Sequence, residues 1–281
     1  MRDSPPVARQ CTDQGRRGRP HRENPVKSDP SSTSPAASPS SGETGSPSGD
    51  GSPSLATVRE TRPGDFADIF HLTRKTYPHD VPWREQELRS HLEVFPEGQL
   101  VAVDGDDRVI GMAASLRLRD RDYPLDTSWM DLTGRGFFRN HDPDGDMLYA
   151  AEVMVDPFCR GRGVGKALYA ARRALARRLG VNGIRATARL RGYHRVAPGL
   201  DPDAYARAVV QGNLGDPTLS FQLRQGFGVR GVIRDFDDDP ETLGFAAVID
   251  WPTRRLARRP VSRVPSLRSI RHRGDSLPAA I

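Results

Sequence analysis

Residues 160–168, RGRGVGKAL, constrain the fold of this chain more than any other stretch. They join an apolar run, MLYAAEVMV at 147–155, to an amphipathic one, GVGKALYAARRALARRLG at 163–180. A strand that turns through glycines into a helix leaves the first helical amides without internal acceptors and puts the positive end of the helix dipole beside them. Glycine lets the backbone close on an anion, and Arg160, Arg162 and Lys166 add formal charge. The usual nucleotide signatures are excluded by spacing. Gly165-Lys166 is followed by Ala167, so no hydroxyl follows to hold Mg²⁺, and Arg160 stands where the first glycine of such a loop belongs. A GxGxxG reading puts Lys166 in place of the third glycine. The loop suits a diphosphate held without metal.

Around this loop, period and turn chemistry predict strands and helices in the order β-α-α-β-β-β-α-β-α-α-β-β, an α/β domain with a mixed sheet. LATVRET is a short strand. Asp65 is placed to cap a helix carrying Phe66, Ile69 and Phe70 on one face. WREQELRSHLEVF is a second helix, and GQLVAVDGDDRVIGMAASLRLR is a hairpin. In the helix after the loop, Val164, Leu168, Ala171, Leu175 and Leu179 form the apolar stripe, and Arg172, Arg173, Arg177 and Arg178 are expected on its solvated face. Residues 118–147 are too long for a routine connection. Trp129, Phe137, Phe138 and His141 there suit either a lid over a small amine or a satellite apolar cluster. HDPDGD lacks calcium-loop spacing and reads as a turn.

Composition bounds the domain. Residues 28–54 are almost entirely Ser, Pro, Gly, Thr and Asp, too poor in apolar surface to fold, so 1–54 is expected to be a disordered arm. The 253–281 segment, with eight arginines and one aspartate, is expected to be a basic disordered tail, a solvated extension rather than a nucleic-acid contact, although its charge could meet nucleic acid or an acidic partner. Folding is thus expected over 55–252, with an insertion at 118–147. Cys11 and Cys159 make no disulfide framework. No apolar run approaches a membrane span and no secretory h-region opens the chain, so a cytoplasmic location without membrane contact is expected.

The segment VDPFCRGRGVGKALYAARR resembles motif A of the GNAT (Gcn5-related N-acetyltransferase) superfamily, [RQ]xxGx[GA], met by Arg160, Gly163 and Gly165, with Val155 and Pro157 before it. LSFQLRQGF resembles the family's late segment ending in Gly-Phe, here Gly226-Phe227. The long insertion and the GYH at 192–194 resemble a subgroup whose modules are in some relatives fused to carbon–nitrogen hydrolases. No Glu/Lys/Cys set for such an enzyme is left here. The resemblance implies a mostly antiparallel central sheet flanked by helices, with strands splayed at the motif A strand. It implies acetyl-CoA as co-substrate and no metal. Arg160, Gly161, Arg162, Gly163, Val164, Gly165 and Lys166 would cradle the pyrophosphate, and Val153, Met154 and Val155 would pair with pantetheine. The Val153 amide would polarise the thioester carbonyl.

Acyl transfer to a primary amine, small-molecule or peptide, needs a base, because such an amine is protonated near neutrality. Glu152, an acid within an apolar strand, is the first candidate, since burial raises a carboxyl toward a useful range. A sheet-edge or arginine-paired role is the alternative. Tyr193 and His194, after the next strand, are candidates for protonating the thiolate and relaying the proton. One departure stands out. Many family members carry a tyrosine general acid four residues before the final Gly-Phe glycine, where this chain has Gln222. Tyr149, Tyr193 and Tyr205 are possible replacements. Without one, either the thiolate leaves with water or another donor, or the domain binds or senses acyl-CoA without catalysing transfer.

Overall fold

The computed structural model describes residues 56–78, 83–236 and 239–253, and the backbone of 269–270. The expected arm at 1–54 and most of the expected tail lie outside these residues. Strands β1 (Thr57–Glu60), β2 (Gln99–Val103), β3 (Val109–Leu118), β4 (Met147–Val155), β5 (Gly183–Arg189), β6 (Gly228–Ile233), β7 (Ala246–Pro252) and β8 (Ser269–Ile270) form one sheet in the order β1-β2-β3-β4-β5-β7-β6-β8. Only β4/β5 and β6/β8 are parallel. Helices α1 (Phe66–Thr76), α2 (Glu85–Val94), α3 (Trp129–Leu132), α4 (Val164–Arg178), α5 (Pro202–Val210) and α6 (Leu219–Arg224) complete the domain. The element order is the one the sequence periods predict except for two short additions, α3 within the insertion and β8 within the expected tail, and the mixed, mostly antiparallel sheet is the expected one.

The sheet separates two apolar clusters. One packs α1, α2 and α3 against Met112, Ala114, Leu116, Met147, Tyr149 and Met154. The other packs α4, α5 and α6 against Leu148, Ala150, Ile184, Ala186 and Ala188. Side chains alternate faces along a strand, so β4 should keep one parity throughout. It does not. Ala114 on β3 pairs with Glu152 and Ser115 pairs with Ala150, leaving Ala151 as the extra residue of a β-bulge. Past the bulge the parity switches: even-numbered Met154 joins Met147 and Tyr149 on the α1 face, while Val153 packs on the α4 side with Leu148 and Ala150.

A second feature positions the site. β4 and β5 pair only from Met147↔Gly183 to Ala150↔Ala186. Beyond that, β4 stays paired with β3 through Val155↔Gly111, and β5 with β7 through Arg189↔Ala246. The two strands part, and a wedge opens between residues 151–155 and 187–189.

Two sequence expectations are corrected. Arg172 is not on a solvated face: it is 1% exposed and lies under the sheet. Asp65 does not cap α1 with its side chain. A 3₁₀ turn, Pro63–Asp65, precedes the helix, and the carboxylate reaches back to the Arg62 amide (2.7 Å) and the Arg59 guanidinium (2.8 Å).

The insertion is packed against the sheet. Ser90 Oγ donates to the Phe137 carbonyl (2.7 Å), and Trp129 Nε1 donates to the Ala151 carbonyl of the bulge (3.2 Å). The His91 ring stacks on Phe138 with centroids 3.7 Å apart, and its Nε2 donates to the Gly136 carbonyl (2.7 Å). HDPDGD forms a turn, with Asp142 bonded to Arg119 (2.8 Å) and to the Asp144 amide (2.8 Å).

Because Nε2 carries the donated proton, a second proton on His91 would sit on Nδ1, which is buried without a partner. Burial accordingly pushes the His91 pKa down from 6.5 to about 4. The unfolded chain then binds the extra proton first, so stability is full above pH 6.5 and is lost as pH falls toward 4, by up to roughly 3 kcal/mol at ~1.4 kcal/mol per unit. Thermal unfolding scanned from pH 7 to pH 4.5 is expected to show this loss. The His91→Gln variant, which keeps a donor for Gly136 and does not titrate, should show a visibly flatter dependence.

Candidate active site at the parted strands

On the α4 face, the glycine loop enters the helix as its spacing requires. Gly161 and Gly163 have φ of +76° and +86°, the left-handed region that side chains avoid, and a Cβ on either would meet no protein atom within 4 Å. The first α4 amide with an internal acceptor is that of Ala167, which donates to the Gly163 carbonyl (2.9 Å). Among the described residues no acceptor meets the amides of 161–166. Arg160, Arg162 and Lys166 are exposed beside them. This row of unpaired donors at the start of a 15-residue helix fits a diphosphate.

On the opposite face stands Glu152, carried there by the bulge. Its Oε1 accepts from Tyr77 Oη (3.1 Å), at the end of α1, and from the Val153 amide (2.8 Å). Burial raises its pKa, opposed by those two hydrogen bonds and then by the charges of Arg189 and Arg172. Burial and the neighbouring Glu152 raise Tyr77 well above an ordinary phenol. The Arg189 guanidinium lies 5.4 Å from the Tyr77 ring centre. Tyr149 Oη meets Thr187 Oγ1 across the mouth of the wedge (3.3 Å).

The sequence candidates are thus partly gathered. Glu152 and Val153 sit together at the parting of the strands, with Val155 beside the loop at Gly165. The side chain of Met154 is buried in the α1-side cluster. Tyr193 lies in the α4-side core, where its hydroxyl donates to the Leu200 carbonyl (2.8 Å). His194 Nδ1 lies 2.9 Å from the Glu241 carbonyl. Among the described residues neither shares a hydrogen bond or ring contact with Glu152. Tyr205 is bonded to Asp216 (2.9 Å).

Sequence reasoning passed over Tyr169. Its phenol oxygen accepts from Gln222 Nε2 (3.0 Å), and the Gln222 Oε1 is buried without a partner. The ring packs edge-on against Phe221 and Phe227. A signal for it existed. Gly165 faces α6 so closely that a Cβ would sit 3.1 Å from the Phe221 ring, and Tyr169 is one turn further along that face. Among the described residues no group of three or more His, Cys, Asp or Glu is placed to hold a metal ion, and no helix is long and apolar enough to cross a membrane.

Residues 66–196 match the acetyltransferase (GNAT) family. Two proteins of Bacillus subtilis (strain 168) are similar in sequence. The probable hydrolase YhcX is 35% identical over 195 residues, 69% of this chain and 38% of that protein, so the chain spans well under half of that relative. The uncharacterized N-acetyltransferase YkwB is 29% identical over 199 residues, 69% of this chain and 88% of that one. Among solved structures, the GphF GNAT-like decarboxylase in complex with isobutyryl-CoA matches with a TM-score of 0.60 at 24% identity, over 70% of this chain and all of that one. The loading GNATL domain of CurA from Lyngbya majuscula matches with a TM-score of 0.59 at 18% identity, over 70% of this chain and 98% of that one. At these identities the two structures share the fold.

The Tyr77 bond lowers the Glu152 pKa, so its removal should raise it. In Tyr77→Phe, the Glu152 carboxyl carbon followed by NMR should titrate at higher pH than in the native protein. An unchanged midpoint would show that the hydroxyl does not hold the carboxylate.

Proposed function

From the match of residues 66–196 to the GNAT acetyltransferase family, we propose that the chain is an N-acetyltransferase moving an acetyl group from acetyl-CoA to a primary amine by direct attack. The observation that carries this reading is the wedge between β4 and β5, with unpaired loop amides on one face and Glu152 on the other. The thioester supplies an activated carbonyl. The amides of 161–166, with Arg160, Arg162 and Lys166, hold the diphosphate, and the open edge of residues 153–155 takes the pantetheine amides.

Glu152 accepts the amine proton as the nitrogen bonds to the acetyl carbon. A half-buried carboxyl whose pKa burial raises is suited to take that proton. The Val153 amide, released from Glu152 Oε1, donates to the carbonyl oxygen as negative charge develops there. When the C–S bond breaks, Tyr169 on the α4 face protonates the thiolate. Gln222 Nε2 already donates to its phenol oxygen and so steadies the phenolate until solvent returns the proton. The acceptor enters from the α1 face, between Tyr77 and the docked insertion, and a small amine suits that side.

Gln222 favours a second reading, a module that binds acyl-CoA without transfer. Incubating acetyl-CoA with an amine library and following free thiol separates the two. Release with a defined amine supports transfer, whereas tight binding with no release for any amine supports the silent module. Gly163→Glu is expected to remove CoA binding in calorimetry with the fold kept, because a carboxylate would stand against the diphosphate. Glu152→Gln should cut turnover by about a hundredfold or more, the lower end for a general base, with CoA affinity little changed. Tyr169→Phe should lower kcat and leave KM for acetyl-CoA near the native value.

A further inference from the structure

Arg172 is a fully buried cation in a chain that could have filled the same volume with leucine or methionine. Its Nε donates to Ser115 Oγ (2.9 Å), and Nη2 donates to the Ala114 carbonyl (3.1 Å) and to the Glu152 carbonyl. Its guanidinium carbon lies 5.5 Å from the Tyr169 ring centre. Among the described residues it forms no ion pair. A buried charge without a bonded counter-charge is costly, and the cost is offset only where the charge does something an apolar side chain does not.

The three acceptors mark out one object, the β-bulge. Ala114 and Ser115 are the two residues at which the β3 register shifts, and Glu152 closes the bulge on β4. A planar fork fixes three oxygens in one geometry, which a single ammonium cannot do. The Glu152 carbonyl is drawn to the α4 face while its carboxyl lies on the α1 face, bonded to Tyr77. The peptide that Arg172 holds joins Glu152 to Val153, so the orientation of the Val153 amide is set by the same bond. Glu152 is the carboxylate with which the guanidinium interacts through space.

We propose that Arg172 is a positioning residue that locks the β3/β4 bulge, thereby aiming the Glu152 carboxyl and the Val153 amide into the wedge. The inference rests on the reading of Glu152 as the base. The groups that act on that carboxyl are Tyr77 at the end of α1, by its hydrogen bond, and, through space, Tyr149 from β4, Tyr169 and Arg172 from α4, and Arg189 from β5. Removing the Arg172 charge moves the Glu152 midpoint up. Losing the fork with the charge kept moves the bulge instead.

The test uses Arg172→Met, Arg172→Lys and the milder Ser115→Ala in the full chain. Three readouts are taken: the Glu152 carboxyl titration and the Val153 amide shift by NMR, calorimetric CoA affinity, and the pH profile of kcat with an accepted amine. Arg172→Met is expected to raise the Glu152 midpoint by at least about half a unit, a small share of what burial and nearby charge can do. It should also move the acid limb of kcat to higher pH, with CoA affinity within about threefold of native. Arg172→Lys should keep the midpoint, shift the Val153 amide and lower kcat, and Ser115→Ala should do the same less strongly. A native midpoint, amide shift and kcat in Arg172→Met overturns the proposal. If that variant does not fold, native values in both Arg172→Lys and Ser115→Ala overturn it. Absence of turnover in the native protein with every amine refutes the transfer reading alone, because the NMR titration still decides the role of Arg172.

Discussion

The site depends on a guanidinium pressed against the underside of a β-bulge. Arg172 crosses from α4 to the carbonyls of Ala114 and Glu152 and to the Ser115 hydroxyl. These contacts lie where β4 gains its extra residue, Ala151. That residue changes which way every later β4 side chain points. Without it, Glu152 would share the α4 face with Leu148 and Ala150. With it, Glu152 meets Tyr77 on the far face, and Val153 turns toward the α4 core. A single backbone irregularity thus puts the carboxyl on the side opposite the glycine loop.

The two faces divide the work. The α4 face carries the loop, the unpaired amides and the Tyr169–Gln222 pair, all features that suit a phosphate-bearing thioester. The α1 face carries Tyr77, Glu152 and the insertion, whose Trp129 indole donates to the Ala151 carbonyl of the same bulge. The bulge is therefore held from both sides, by arginine from below and by tryptophan from above. Because β4 and β5 stop pairing after Ala150 and Ala186, the faces communicate through the gap between them. Stability and function are coupled there. The insertion on the α1 face is fastened by His91, whose burial disfavours its charged form.

Much of this was legible in the sequence. The order of strands and helices followed from period and turn residues, and the loop from three glycines between an apolar strand and an amphipathic helix. Family resemblance supplied the splayed strands. What escaped has physical reasons. Arg172 sits at a position that helical periodicity alone assigns beside the stripe, and an arginine there reads as solvated unless the fork has buried carbonyls to bind. Those carbonyls are open to the fork because of the bulge, which residue alternation within a nearly all-apolar strand does not reveal. Tyr169 was hidden for a related reason. Its importance comes from Gln222, 53 residues away, and only packing of α6 on α4 brings the pair together. Tyr193 and His194 follow a strand in a glycine-containing loop, yet the Tyr193 hydroxyl is taken by the Leu200 carbonyl and His194 Nδ1 by the Glu241 carbonyl.

The most direct measurement is amide mapping of the native protein on addition of a non-reactive CoA thioether, by ¹⁵N–¹H NMR. If the loop grips a diphosphate and aims the sulfur into the wedge, the amides of 161–166 and of Val153 shift together and become protected from exchange. Shifts confined to other surfaces, such as the cleft of 209–215 between α5 and α6, with the loop amides and Val153 unmoved, would contradict the account.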